Sequence, residues 1–267
     1  LLRRAVAEAE DQASRWQRKP DDETLHDWRI GLRRLRALLR VFRDEVEALG
    51  GRELRADLTA VADKLGAARD GDIVVELLAT SQVVRSGRYD DEVVAVRGVL
   101  EGQHALRQRS VQRMMEGDAW PHLMARANAL VEALARGPAY RPRQRMERFV
   151  ERQVERHHRR VSGLIASAES TQSDVLHAFR VTLRRWRYAG DLLGPWMDKE
   201  ERRLIKRIRV AERKLGLVHD VDVALAWWSA HPRLHLPVLV QEWRQLRERR
   251  RGQFLKKWAK CRKRLAT

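Results

Sequence analysis

Apolar residues recur at helical spacing in two stretches that are otherwise dense in arginine. From Leu25 to Arg43 the chain reads LHDWRIGLRRLRALLRVFR, and from Leu176 to Leu193 it reads LHAFRVTLRRWRYAGDLL. At ~100° per residue, Trp28, Leu32, Leu35, Leu39 and Phe42 centre on one side of a helix, while Arg29, Arg33, Arg36 and Arg40 fall within roughly 80° of His26 on another. The second stretch divides in the same way, with His177, Arg180, Arg184 and Arg187 on one face and Phe179, Leu183 and Trp186 on the other. Each stretch therefore predicts a helix with an apolar stripe for a core and a basic ladder beside it. Arg34 and Arg185 fall off the ladder, towards its other flank.

The same reading carries along the chain. A first helix runs from Leu1 to Lys19 and is ended by Pro20, with Asp21 and Asp22 as candidate caps for the next, residues 23–49, which stops at Gly50-Gly51. Residues 52–65 predict a third helix with Gly66 as its stop, and Arg69-Asp70-Gly71-Asp72 opens a fourth that breaks at Ser86-Gly87. Further helices are expected over 89–115 and 120–135. Gly137 to Pro142 reads as a linker. Beyond it come helices over 144–168, over 174–193 with Asp174 as cap and Gly194-Pro195 as stop, and over 199–215 ended by Gly216. Leu217 to Asp222 opens another, His231 to Pro237 is a loop, and 238–264 is a last long helix. No series of strands is visible. The pattern predicts an all-α protein of two helical bundles of one design, residues 1–137 and 138–267, related by an approximate two-fold.

Composition narrows the partner. With 267 residues the chain can bury a real core, and 43% hydrophobic against 34% charged residues excludes a disordered chain. The net charge of +18 points to a polyanion: nucleic acid, an anionic membrane or a phosphate polymer. Arginine dominates over lysine, and its planar fork suits bidentate phosphate contacts. A single cysteine, Cys261, excludes an intrachain disulfide and a cysteine-based metal site. No apolar run approaches a membrane span and no signal-peptide pattern opens the chain. The chain begins at Leu1 rather than at methionine, which leaves room for a domain ahead of it.

Like charges at i,i+4 cost a few tenths of a kcal/mol per pair, and a merely solvated face would intersperse glutamates. The ladders hardly do so, and repulsion retained twice over points to an anion that relieves it. A second shared element follows each ladder: Lys64-Leu65-Gly66 leading to Arg69-Asp70-Gly71-Asp72, and Lys214-Leu215-Gly216 leading to His219-Asp220-Val221-Asp222. Asp70 and Asp220 are read there as supports, either capping a helix or holding arginines in place, and not as catalysts.

His-x-x-Arg-x-x-x-Arg-Arg-x-Arg followed by Leu-Gly-x-x-[Arg/His]-Asp, occurring twice in an all-helical basic chain, resembles the CHAD domain, the conserved histidine α-helical domain. The resemblance covers nearly the whole chain. It implies two four-helix-type bundles with pseudo-two-fold symmetry around a basic central surface that binds inorganic polyphosphate, and placement in the cytoplasm at polyphosphate granules. Carried over residue by residue, the binding motif falls on His26, Arg29, Arg33, Arg34 and Arg36, and on His177, Arg180, Arg184, Arg185 and Arg187; Arg40 extends the first ladder. Arg209 stands where the family often has a basic residue in the following helix, whereas the first repeat has Thr59 there, so the two halves are expected to bind unequally. CHAD domains are often joined to a triphosphate tunnel (CYTH) domain, a candidate for a fused or partner domain upstream.

On this reading the protein is not an enzyme and needs neither cofactor nor metal. Polyphosphate has no bases, so no stacking platform is required. If about five phosphates are neutralised, a slope of ~0.7 per contact predicts roughly a hundredfold loss of affinity between 50 and 200 mM salt. Protonation of His26 and His177 beside phosphate is expected to strengthen binding as pH falls through ~6.5. The principal rival is a nucleic-acid binder, against which Trp28 and Trp186 point to the apolar faces. A metal-dependent phosphohydrolase is disfavoured by the basic groove and by the want of a carboxylate cluster. Membrane adhesion is disfavoured because the basic residues lie within packed helices.

Overall fold

The computed structural model describes residues 1–136 and 143–265, apart from the side chains of residues 67–70 and 143–145. The expected linker, Gly137 to Pro142, and the side chain of Asp70 lie outside the described residues. All secondary structure within them is helical, without a strand, and none of their helices is long and apolar enough to cross a membrane. The helices are α1 (Leu2–Arg18), α2 (Asp22–Val41), α3 (Arg43–Val46), α4 (Gly51–Thr80), α5 (Gln82–Arg85), α6 (Asp90–Glu116), α7 (Ala119–Arg136), α8 (Arg143–Ser162), α9 (Ser173–Leu193), α10 (Lys199–Ser229) and α11 (Pro237–Leu265).

Two compact units form. One comprises Leu1–Gly71 with Glu101–Pro142, the other Asp72–Leu100 with Arg143–Thr267, so α4 and α6 each supply residues to both. In the first unit, α2 begins at a capping box: Asp21 accepts from the Thr24 amide at 2.8 Å, and the Asp21 amide donates to the Thr24 hydroxyl. Its apolar stripe of Leu25, Trp28, Leu32, Leu35 and Leu39 is buried as the periodicity predicts. Trp28 packs 5.9 Å from Trp16 of α1 and edge-on, 5.1 Å away, against Trp120 of α7. In the second unit, α10 and α11 close a core of Val74, Leu78, Val221, Leu239 and Trp243 among others.

Several expected boundaries move. The helix carrying the first ladder stops at Val41, and α3 with a 3-10 turn, Glu47–Leu49, covers the remainder up to Gly50, whose φ of +77 reverses the chain. α8 ends at Ser162, with a 3-10 turn over Ile165–Glu169. Gln172 takes the N-cap position of α9, placing Asp174 in its first turn.

The larger correction concerns Gly66 and Gly216, which end no helix: α4 and α10 run through them. A mid-helix glycine costs about 1 kcal/mol. Burying Leu215, Val218 and Val221 along the same helix, each at most 1% exposed, returns roughly 1.5–3 kcal/mol apiece. Packing therefore carries the helix through the glycine. Asp70 and Asp220 consequently lie inside helices, and neither is an N-cap.

Candidate anion-binding site

The apolar face of α9 fixes which way its arginines point. Phe179 sits 5.0 Å from Trp258 and 6.5 Å from Phe254, both on α11. Trp186 stacks 6.5 Å from His157 of α8, and Leu183 is fully buried. With that face anchored, the helical period presents Arg180, Arg184 and Arg187 to α10.

From α10 come Glu212, Gly216 and His219. Arg184 Nε donates to Glu212 Oε1 at 3.3 Å, and Arg187 Nε lies 3.3 Å from Oε2 of the same carboxylate. Arg187 Nη1 also donates to Asp191 Oδ2 at 3.1 Å, and its guanidinium lies 4.1 Å over the ring of Tyr188. Arg209 pairs with the other oxygen of Asp191. The Arg180 guanidinium lies against Gly216, where a Cβ would stand 3.5 Å from Nη2. His177 and His219 end the row, their Nδ1 atoms 3.4 Å apart and their ring centroids 4.7 Å apart.

The charge balance of this patch favours an anion. Burial, then the charges of Arg180, His177 and Arg184, push the His219 imidazole down to about 3. His177 is lowered by burial and by Arg180 and Arg184. Both rings are thereby held neutral at pH 7. Arg184, Arg187 and Arg209 share two carboxylates, Glu212 and Asp191, and Arg180 adds a fourth guanidinium to the same face. Arg184 Nη2 is buried and has no hydrogen-bond partner among the described residues.

Glu212 corrects the expectation that the ladder leaves its repulsion entirely to an outside anion. Part of the relief comes from within, supplied by α10. No signal in the ladder stretch could show this; only the docking of α10 brings an acid 28 residues further on beneath Arg184. His219 was legible as the residue standing where the first repeat has Arg69, but its contact with His177 was not.

The first ladder lies on α2. His26 is exposed, Arg29, Arg33, Arg36 and Arg40 are half-buried, and Arg36 Nε is buried. Arg34 leaves the ladder and pairs with Glu8 of α1. Arg185 is likewise off the second ladder, exposed and close enough to Arg160 to feel its charge. At the positions matching Asp191 and Glu212 the first copy has Arg40 and Ala62. Thr59, matching Arg209, donates its hydroxyl to the Arg55 carbonyl at 2.7 Å.

The supporting aspartates divide their work. Asp220 is half-buried near Arg250, whose charge it favours. Asp222 receives Arg247 Nε at 2.5 Å and the Ser173 hydroxyl at 3.0 Å, which ties α10, α11 and the start of α9 together.

Residues 1–229 match the CHAD domain family. The crystal structure of the CHAD domain from the plant Ricinus communis is similar, with a TM-score of 0.68 and 20% identity, over 97% of this chain and 84% of that one. No curated protein matches the chain.

Proposed function

Because the chain belongs to the CHAD domain family, we propose that it binds inorganic polyphosphate without catalysis, through its histidine–arginine ladders. One observation carries the reading. On α9 and α10, four arginines converge on a patch with two carboxylates, and the same patch keeps two adjacent imidazoles neutral. Such a patch disfavours protons for the reason that it favours anions. Phosphate oxygens would add charge-assisted hydrogen bonds to guanidiniums already oriented by Glu212 and Asp191. The ladder on α2 repeats the residue pattern and serves the same ligand; on this reading the two motifs are copies of one ancestral design. Placement at polyphosphate granules in the cytoplasm follows from the ligand.

The test compares long-chain polyphosphate with single-stranded DNA of equal charge at ~150 mM salt, for the wild type and for a variant with Arg29, Arg33, Arg180 and Arg184 changed to alanine. A severalfold preference for polyphosphate, lost in a still-helical variant, is the expected result. Equal binding of the two polymers, or a loss matched by removing four arginines elsewhere, would move nucleic acid to the front. Polyphosphate incubated with divalent metals is expected to release no phosphate.

A further inference from the structure

The most basic stretch of the chain lies outside the residues that match the family. No aspartate or glutamate follows Glu248, yet Arg249, Arg250, Arg251, Lys256, Lys257, Lys260, Arg262, Lys263 and Arg264 do. All of them are on α11, which starts after the family match ends at residue 229.

The structure sorts eight of these nine cations into two sets; the ninth, Lys257, is exposed and falls about 80° round the helix from Arg249. One set serves the fold: Arg250 Nη1 donates to the Leu217 carbonyl at 2.8 Å, Arg251 Nε to the Ser170 carbonyl at 3.1 Å, Arg262 pairs with Glu169 at 2.7 Å, and Arg264 pairs with Glu200. The other set does not. Arg249, Lys256, Lys260 and Lys263 are exposed, and no described carboxylate pairs with them. At ~100° per residue these four fall within about 60° of one another, while Phe254, Trp258, Cys261 and Leu265 centre on the opposite side. Those four apolar residues are buried, so they fix α11 with its stripe outward. The stripe runs about 21 Å along the helix. It is also distinct from the ladder, because α11 packs against the apolar face of α9 through Phe179.

We propose that the α11 stripe is a second polyphosphate contact, one that lets a single molecule hold two polymer segments. The proposal rests on the ladder reading for the ligand. The chemistry of the stripe favours a phosphate chain over the other polyanions. Three of its four cations are lysines, compact point charges that ask no fixed geometry of their ligand. Its face carries no aromatic residue on which a base could stack. Between Arg249 and Lys263 it carries no large apolar residue to enter a membrane either, since Phe254, Trp258 and Cys261 are turned inward. A polymer longer than the ladder supplies free phosphates at high local concentration, so a weak second contact suffices to bridge chains.

The experiment uses the full chain in four forms: wild type, the ladder variant described above, a stripe variant with Arg249→Gln, Lys256→Gln, Lys260→Gln and Lys263→Gln, and the two sets of changes combined. Because the four stripe residues face solvent, helicity and Tm should match wild type and serve as the fold control. With long-chain polyphosphate, light scattering by the wild type is expected to rise and then fall as polymer goes into excess, as bridging requires. The stripe variant should bind tripolyphosphate within about twofold of wild type but lose at least tenfold in scattering. Its salt slope on the long chain should be shallower by about 2–3, at ~0.7 per contact. In the ladder variant, residual long-chain binding should vanish when the stripe changes are added. Scattering by the stripe variant equal to wild type, or no residual binding attributable to the stripe, would overturn the proposal. Single-stranded DNA of equal charge bridging as well as polyphosphate would overturn its ligand. A failure of the ladder reading shows separately, as tripolyphosphate binding unaltered in the ladder variant.

Discussion

The Nδ1 atoms of His177 on α9 and His219 on α10 lie 3.4 Å apart, beside Arg180 and Arg184. Both imidazoles sit below their ordinary value of 6.5, His219 at about 3. The unfolded chain binds protons on these rings from ~6.5 downward, while the native chain binds them only at lower pH. Their contribution to stability is therefore fully present above ~6.5 and is lost progressively as pH falls towards the native values. Thermal melts of the wild type and of His219→Gln from pH 7.5 to pH 4 test this. The wild type should lose more stability over that range.

On the proposed function, the same pair sets the pH dependence of binding. A bound anion favours the charged rings, so binding takes up protons and strengthens as pH falls. Because the free rings are depressed, the increase extends well below the ~6.5 that an ordinary histidine would set. Calorimetry in buffers of different ionisation enthalpy should show net proton uptake at pH 6, reduced in His219→Gln. An equal uptake in both forms would show that the pair is not in contact with the ligand.

Glu212 restrains the ladder as well as orienting it. It is 9% exposed and touches Arg184 and Arg187. In Glu212→Gln those guanidiniums lose their buried counter-charge, at a cost of about 3 kcal/mol. The freed charge should tighten polyphosphate binding severalfold. Chemical denaturation with and without polyphosphate separates the two effects: the apo variant is less stable, and the ligand restores more than it does for wild type.

Two glycines should respond oppositely to alanine. A Cβ at Gly190 would meet Ile205 Cδ1 at 2.5 Å, so Gly190→Ala forces the α9–α10 contact apart and costs about 1–3 kcal/mol. At Gly216 the nearest atom would be 3.5 Å away, an ordinary contact with Arg180. Gly216→Ala should therefore gain up to about 1 kcal/mol from helix propensity and leave binding within twofold. A fall in Tm on Gly216→Ala would show that the Arg180 guanidinium needs the bare backbone.

The contrast shows what the sequence made legible. The apolar stripes of α2 and α9 could be read because their period is set by the helix itself, and Leu32, Leu35, Phe179 and Leu183 are fully buried as expected. Gly66 and Gly216 misled because a stop is decided by whether the next turn finds a core, which is information held in distant residues. Arg34 and Glu8 are 26 residues apart, and Arg184 and Glu212 are 28 apart. Both pairs depend on how helices dock, which no local spacing reveals. The ladder cations were visible as a pattern, and Asp191 stands four residues after Arg187 in the same stretch; Glu212 on α10 was not visible.

Asp222, the second aspartate of the shared Asp-x-Asp element, carries the last prediction. It holds Arg247, which is 8% exposed and whose Nη2 donates to the Thr171 carbonyl at 2.8 Å. This clamp fixes the stretch leading into α9, and hence the start of the ladder. Asp222→Ala removes the buried counter-charge of Arg247 and leaves it only Glu248, whose side chain is mostly exposed, so the change should cost about 3 kcal/mol. Replacing both members, Asp222→Ala with Arg247→Met, removes the charge altogether and should recover much of that loss. Urea denaturation of the two single variants and the double variant closes the cycle. If the double variant regains stability but its polyphosphate affinity stays low, the clamp positions the ladder; if affinity returns with stability, its role is confined to the fold.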